Sequence, residues 1–173
     1  MKSDIRTHLL KFVSDWRSIG SIAPSSSNLG NAIAQQCAGL EACQIVELGS
    51  GSGAISRYLL DRSPILVEQD VDFCALLRRR YPAANVQHDS AENCLTNLRE
   101  RCGIVFTIPT INNPAVESLL ALLTRKYQSG DLAWVVAFTY GFGDPLQGMR
   151  FQSSQMRQTV WRNMPPARVW VYQ

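Results

Sequence analysis

Near the start of the chain, Ile5, Leu9, Phe12, Val13 and Trp16 recur at helical spacing, and Asp4, Arg6, Lys11, Asp15 and Arg17 fill the other faces. This predicts an amphipathic N-terminal helix that stops near Gly20 and Pro24. Ser25, Ser26, Ser27 and Asn28 are N-cap candidates for a second helix running to about Ala38. From residue 44 the period changes. Short β-type runs at 44–48, 65–68, 85–89, 103–107 and 132–140 alternate with helical stretches at 54–60, 73–80 and 116–127. Pro82 bounds the second of these helices and Ser129-Gly130 the third. Such alternation predicts a parallel sheet covered on both faces. At the end, 158–163 and 167–172 read as two strands joined by Met164-Pro165-Pro166, an antiparallel hairpin that closes the sheet. The expected fold class is α/β, with about seven strands, mostly parallel and flanked by helices.

Composition narrows the class further. The 173 residues are 46% hydrophobic and 18% charged, which excludes a disordered chain and fits one domain over 1–173. Within it, 1–40 supplies N-terminal helices and 41–173 the sheet core. The longest apolar run, 132–138, is far shorter than the roughly 20 residues of a membrane span. The start lacks a signal-peptide pattern, so the expected location is cytoplasmic or peripheral to the inner face of a membrane. Cys37, Cys43, Cys74, Cys94 and Cys102 are scattered without a C-x-x-C pair, and only His8 and His88 accompany them. They read as buried thiols in a reducing compartment, with no metal site. The net charge is +3, and the chain after Asp144 carries Arg150, Arg157, Arg162 and Arg168 with no acidic residue. A tail of that kind can favour an anionic partner such as phospholipid or nucleic acid.

Chemistry concentrates at Glu47-Leu48-Gly49-Ser50-Gly51-Ser52-Gly53, between a strand and a helix. Glycines there let the backbone turn tightly and approach a ligand that a Cβ would exclude, and free N–H groups of the following turn face the crevice. A nucleotide-type ligand is implied. Glu68 follows Glu47 by 68 − 47 = 21 positions and ends the second strand, where a carboxylate can accept both hydrogen bonds of a ribose diol. Asp89 follows by 89 − 68 = 21 more and ends the third, where it can accept from the exocyclic amine of adenine. Three acids thus end three successive strands, at the edge where open α/β sheets bind ligands.

The acid-x-G-x-G-x-G form of residues 47–53 resembles the first motif of the class I S-adenosylmethionine-dependent methyltransferases. That resemblance implies a Rossmann-like sheet and S-adenosylmethionine as cosubstrate, with S-adenosylhomocysteine as product. It places the methionine end of the cosubstrate on Gly49, Gly51 and Gly53, the ribose on Glu68 and the adenine by Asp89. It extends cosubstrate contacts to Glu47, Ser50, Gln69, Ser90, Thr107, Ser25 and Ser26. The chain is more closely similar to the small bacterial phospholipid N-methyltransferases, themselves similar to rRNA adenine dimethylases. Residues 20–26, 46–54, Phe138-Thr139-Tyr140-Gly141 and Asn163-Met164-Pro165-Pro166-Ala167 carry this likeness. One segment departs from the family pattern: Thr107-Ile108-Pro109-Thr110-Ile111 stands where serine-glycine-leucine-proline-leucine is usual. That segment borders the methyl acceptor in the family.

The resemblance implies a methyltransferase acting on a phospholipid headgroup amine. Alternatives are an RNA or soluble small-molecule acceptor, or a cosubstrate-binding partner subunit without activity. Methyl transfer from a sulfonium is an in-line displacement, so no nucleophilic side chain is required. Tyr140, at the end of the fifth strand, is the catalytic candidate through a cation–π contact to a methylated ammonium, with Thr107 beside it. Asn112 and Asn113 are possible acceptor-side hydrogen bonders. An anionic membrane is the expected partner surface, through residues 1–20 and the basic C-terminal part. A charge of +3 is thin for RNA.

Overall fold

The computed structural model describes residues 24–110, 116–140, 143–163 and 166–173, with side chains from residue 27 onward. The expected N-terminal helix, Ile111, Asn112, Asn113, Gly141 and the Met164-Pro165 turn lie outside these residues, as do the side chains of Ser25 and Ser26. Strands β1 (Gln44–Leu48), β2 (Ile65–Glu68), β3 (Asn85–His88), β4 (Cys102–Phe106), β5 (Leu132–Thr139), β6 (Ser154–Val160) and β7 (Ala167–Tyr172) form one sheet. Their order is β3-β2-β1-β4-β5-β7-β6. The first five are mutually parallel, and β7 runs antiparallel to both β5 and β6. Helices α1 (Pro24–Ala38), α2 (Val71–Arg80), α3 (Ala91–Thr96) and α4 (Val116–Gln128) accompany it.

The inner strands are hydrophobic at successive positions because both of their faces are covered. Ile45, Val105, Trp134 and Val136 pack with Leu29, Ile33 and Cys37 of α1 on one face. Val46, Ile104 and Val135 pack with Leu95 of α3 and Leu119 and Leu123 of α4 on the other. The α1 residues recur at four-residue steps, as one stripe of a helix requires. At its end, Arg62 Nη1 donates to the Cys37 carbonyl at 2.7 Å and takes up a carbonyl that the helix leaves open. Burial pushes the Cys37 and Cys102 thiols up to about 12, so both behave as small apolar groups.

Four elements differ from the sequence pattern. Helix α1 already starts at Pro24, so Ser25, Ser26, Ser27 and Asn28 lie within it and do not cap it. Residues 54–60 do not make an α-helix; two 3-10 turns, Ser56–Tyr58 and Leu60–Arg62, stand there. Ile55, Ser56 and Tyr58 are weak helix formers, and Ser63, at φ 47°, ends the segment before Pro64. Helix α3 is an addition: Ser90 caps it by accepting from the Asn93 N–H at 3.0 Å, and six residues are too few for a periodic signal. Strand β6 starts at Ser154, earlier than 158, and ends at Val160. Its outer residues are exposed, so burial imposes no alternation, and its pairing register shifts between Met156 and Gln158.

Gly103 lies opposite Trp134 across the β4–β5 ladder, and a Cβ there would stand 2.1–2.4 Å from three indole carbons. The indole is fully buried and its Nε1 donates to the Glu41 carbonyl at 3.0 Å, so it has no room to retreat. Gly103→Ala is expected to destabilise the fold by about 1–3 kcal/mol through overpacking. The measurement is urea unfolding: a lower midpoint at unchanged slope agrees, and an unchanged midpoint refutes it.

Candidate active site

The chain passes from β1 outward to β2 and β3, then returns to β4 on the other side of β1. This reversal opens a crevice at the carboxyl ends of β1 and β4, the place where open α/β sheets take ligands. The loop 49–53 emerges into it. Gly49, Gly51 and Gly53 adopt φ of 83°, 51° and 81°, values that glycine alone reaches without strain. A Cβ on Gly49 would stand 2.7 Å from Ile108 Cγ1, and one on Gly53 2.6 Å from Tyr81 Cε2. On Gly51 its nearest heavy atom would be the Gly49 carbonyl oxygen at 3.9 Å. Two glycines are therefore packed from behind, and the central one faces open space.

Hydrogen bonds fasten this loop on three sides. The Gly49 and Ser50 N–H groups donate to the Val67 carbonyl of β2 at 2.9 and 3.1 Å. Thr107, just beyond β4, shares its one hydroxyl proton between the Leu48 and Gly49 carbonyls, each at 2.8 Å, and donates its N–H to the Leu48 carbonyl at 3.1 Å. At the far side, Arg80 Nη1 donates to the Ser52 carbonyl at 2.6 Å and the Tyr81 hydroxyl to the Gly53 carbonyl at 3.1 Å. The sequence pattern makes Arg80 the last residue of the 73–80 helical stretch and gives Tyr81 no role; both reach the loop from 28 residues away, which local pattern does not signal.

The three acids meet at this edge in different environments. Glu68 is buried; its Oε2 accepts from the Gly51 N–H at 2.8 Å and its Oε1 from the Asp70 N–H at 2.9 Å. Asp89 accepts from the Ser90 N–H at 2.8 Å, and both its oxygens accept from Asn93 Nδ2, at 2.9 and 2.8 Å. Glu47 is 1% exposed, and neither carboxylate oxygen has a hydrogen-bond partner. Desolvation pushes its pKa up to about 8, with the Glu68 charge adding to the rise and the nearby Ser56 and Ser50 hydroxyls opposing it. The Ser56 hydroxyl is likewise buried without a partner. Gln69 is exposed, and half-buried Ser90 stands beside Asp89.

Tyr140 follows β5 on the same edge, on the face covered by α1. Its ring meets Phe138 edge to face at 5.4 Å and 78°. The Asn163 side chain hydrogen-bonds its hydroxyl, while burial raises the phenol's pKa and keeps it neutral. His88 Nε2 pairs with the Gln69 carbonyl at 3.1 Å.

No family model matches the chain. It is 33% identical over 102 residues to an ornithine lipid N-methyltransferase of Singulisphaera acidiphila, covering 56% of this chain and 53% of that protein. It is 31% identical over 78 residues to the ribosomal RNA small subunit methyltransferase A of Maridesulfovibrio salexigens, covering 43% of this chain and 30% of that one. The chain thus spans about half or less of the curated relatives it matches. Among solved structures, the 1,6-didemethyltoxoflavin-N1-methyltransferase of Burkholderia thailandensis, with S-adenosylhomocysteine bound, superposes with a TM-score of 0.65. The match covers 97% of this chain and 86% of that one at 13% identity. Class I S-adenosylmethionine-dependent methyltransferases are therefore among both the sequence relatives and the structural neighbours of the chain, whose fold is their Rossmann-like sheet.

The buried carboxyl of Glu47 gives a pH prediction. Its folded pKa of about 8 lies above the ordinary 4.5, so folding favours the protonated form. The stability this contributes is complete below about pH 4.5 and is lost as pH rises towards about 8. Glu47→Gln is expected to flatten the fall of melting temperature across that window, a difference on the order of a few kcal/mol at its upper end. Parallel slopes for the two proteins would contradict it.

Proposed function

We propose that the chain binds S-adenosylmethionine along the carboxyl edge of β1, β2 and β3 and catalyses transfer of its methyl group to an amine on a phospholipid headgroup. The observation that carries the cosubstrate half is the open cradle at Gly51, whose N–H donates to the buried carboxylate of Glu68 at 2.8 Å. The residues fit such a ligand: the outer lone pairs of Glu68 suit a ribose diol, Asp89 suits an adenine amine, and the partnerless Glu47 suits a nearby cation. When bound, S-adenosylmethionine supplies a methyl group already activated on a sulfonium.

The chain's own residues then have positioning tasks. Thr107, Arg80 and Tyr81 hold the glycine loop rigid, so that little ordering is left to occur on binding. Glu68 and Asp89 orient the nucleoside end, and Tyr140 walls the acceptor side. A phenol kept neutral by burial does not serve as a base at neutral pH, so the acceptor amine gives its proton to water before it reacts. Ring and hydroxyl together favour a near-attack placement from which water is excluded.

The lipid acceptor is supported by the likeness to the ornithine lipid N-methyltransferase. An RNA acceptor has the support of the ribosomal RNA methyltransferase relative, though its match is the shorter one. An association with the inner face of a membrane, through residues 1–20 and the arginines after Asp144, belongs to the same proposal.

Calorimetry with S-adenosylhomocysteine is expected to show binding that Glu68→Ala weakens about 10–100-fold, the loss of a charge-assisted hydrogen-bonding pair. No binding by the wild type would remove the whole reading. Labelled methyl offered with phosphatidylethanolamine, ribosomal RNA or a metabolite pool is expected to enter the lipid; label in RNA alone would replace the acceptor. Thr107→Val is expected to raise KM for the cosubstrate and leave KM for the acceptor unchanged, because its hydroxyl is spent on the loop. The reverse split would make Thr107 an acceptor contact.

A further inference from the structure

The carboxyl edge of the sheet extends well beyond the crevice. Because β7 is antiparallel to both its neighbours, β6 runs parallel to β5, and Thr139, Arg168 and Thr159 form one row across three strands. The tip of the β6–β7 hairpin therefore lies on the edge that carries the glycine loop, Thr107 and Tyr140. Buried Asn163 ties it there through its hydrogen bond to the Tyr140 hydroxyl. Four inter-strand steps separate β6 from β1, roughly 19 Å.

At this tip Trp161 is 75% exposed, more than any other large apolar side chain among the described residues. A lone exposed apolar residue carries little meaning. This one is followed by exposed Arg162 and preceded, four residues back along β6, by exposed Arg157, in a stretch with no acid after Asp144. Asp144 itself is engaged internally: its carboxylate accepts from the Tyr172 hydroxyl, the Ser154 hydroxyl at 3.1 Å and the Leu146 N–H at 2.9 Å. The patch is thus aromatic and cationic with no opposing charge of its own.

Three occupants suit such a patch to different degrees. A second copy pairing along the edge of β6 is opposed by the register shift at Arg157 and by like charge. RNA is ordinarily gripped by several stacking rings, and Trp161 is the one exposed aromatic among the described residues. A lipid interface needs one amphipathic ring at headgroup depth and guanidinium groups for phosphate, which is what the tip offers.

We propose that the tip of the β6–β7 hairpin docks on an anionic phospholipid surface, Trp161 entering at headgroup level and Arg157 and Arg162 pairing with phosphates, so that the carboxyl edge of the sheet faces the lipid. This deepens the lipid-acceptor reading and rests on it for its purpose.

The test is flotation of the whole protein with phosphatidylglycerol vesicles and with phosphatidylcholine vesicles, beside methyl transfer to phosphatidylethanolamine in detergent micelles. Wild type is expected to float with the anionic vesicles and to release as salt rises. Trp161→Ala is expected to bind them about tenfold more weakly, the partition of one large apolar side chain. The double variant R157E/R162E is expected to lose the preference for anionic lipid. Calorimetry with S-adenosylhomocysteine, unchanged in both variants, checks that they are folded. Equal flotation of all three proteins overturns the docking point. Micellar methyl transfer without any vesicle binding by the wild type overturns the docking and leaves the acceptor reading standing. Trp161-dependent flotation without label in any lipid keeps the docking surface and overturns the acceptor reading. Trp161-dependent binding of single-stranded RNA or a Trp161-dependent dimer, with no flotation, overturns the lipid surface in favour of that partner.

Discussion

The site depends on how a glycine-rich loop is tied to the strands on either side of it. Val67, in β2, lends one carbonyl to two successive loop N–H groups, and Thr107, after β4, returns two bonds from the other side. Between these anchors the backbone takes three left-handed turns within five residues. Isolated, such a loop would sample many shapes, and its entropy would oppose ligand binding. Anchored, it has one shape, and that shape depends on β2 and β4 flanking β1 in the order the sheet adopts.

Three carboxylates along one edge illustrate how environment divides a single chemistry. Glu68 keeps two backbone N–H donors, one on each oxygen. Asp89 is locked by Asn93 at the start of a short helix, which fixes the orientation of its carboxylate. Glu47 has the same functional group as Glu68 one strand away but no backbone N–H donor, and the nearby Ser56 and Ser50 hydroxyls offset only part of its desolvation, which dominates. Position in the sheet, rather than residue type, separates a hydrogen-bonding carboxylate from a proton-holding one.

Much of this was legible in the chain. Inner strands read clearly because two-sided burial leaves continuous apolar runs, and 47–53 read clearly because left-handed turns need glycine. The acids followed from spacing, since each strand-and-crossover unit repeats at a similar length. The segment 54–60 did not read correctly, because an apolar periodicity of one turn fits a 3-10 and an α-helix alike. Helix α3 was too short to register. The grip of Arg80 and Tyr81 on the loop was invisible for another reason: it joins two segments through tertiary contact, and a Tyr-Pro pair after three arginines looks like a helix terminus in any fold. Thr107 enters only through the family resemblance, as a cosubstrate and catalytic contact, and the structure has its hydroxyl closing the β1–β4 junction.

The state of Glu47 also changes what the charge of the molecule means. A formal sum of +3 counts every Glu as ionised. With a pKa of about 8, Glu47 holds its proton at neutral pH, and the sum becomes 3 + 1 = +4. A cation settling against this carboxyl can displace the proton one for one. The complex then carries the same net charge as the free protein, and the exchange is recorded in the acidity of the surrounding buffer rather than in electrophoretic mobility.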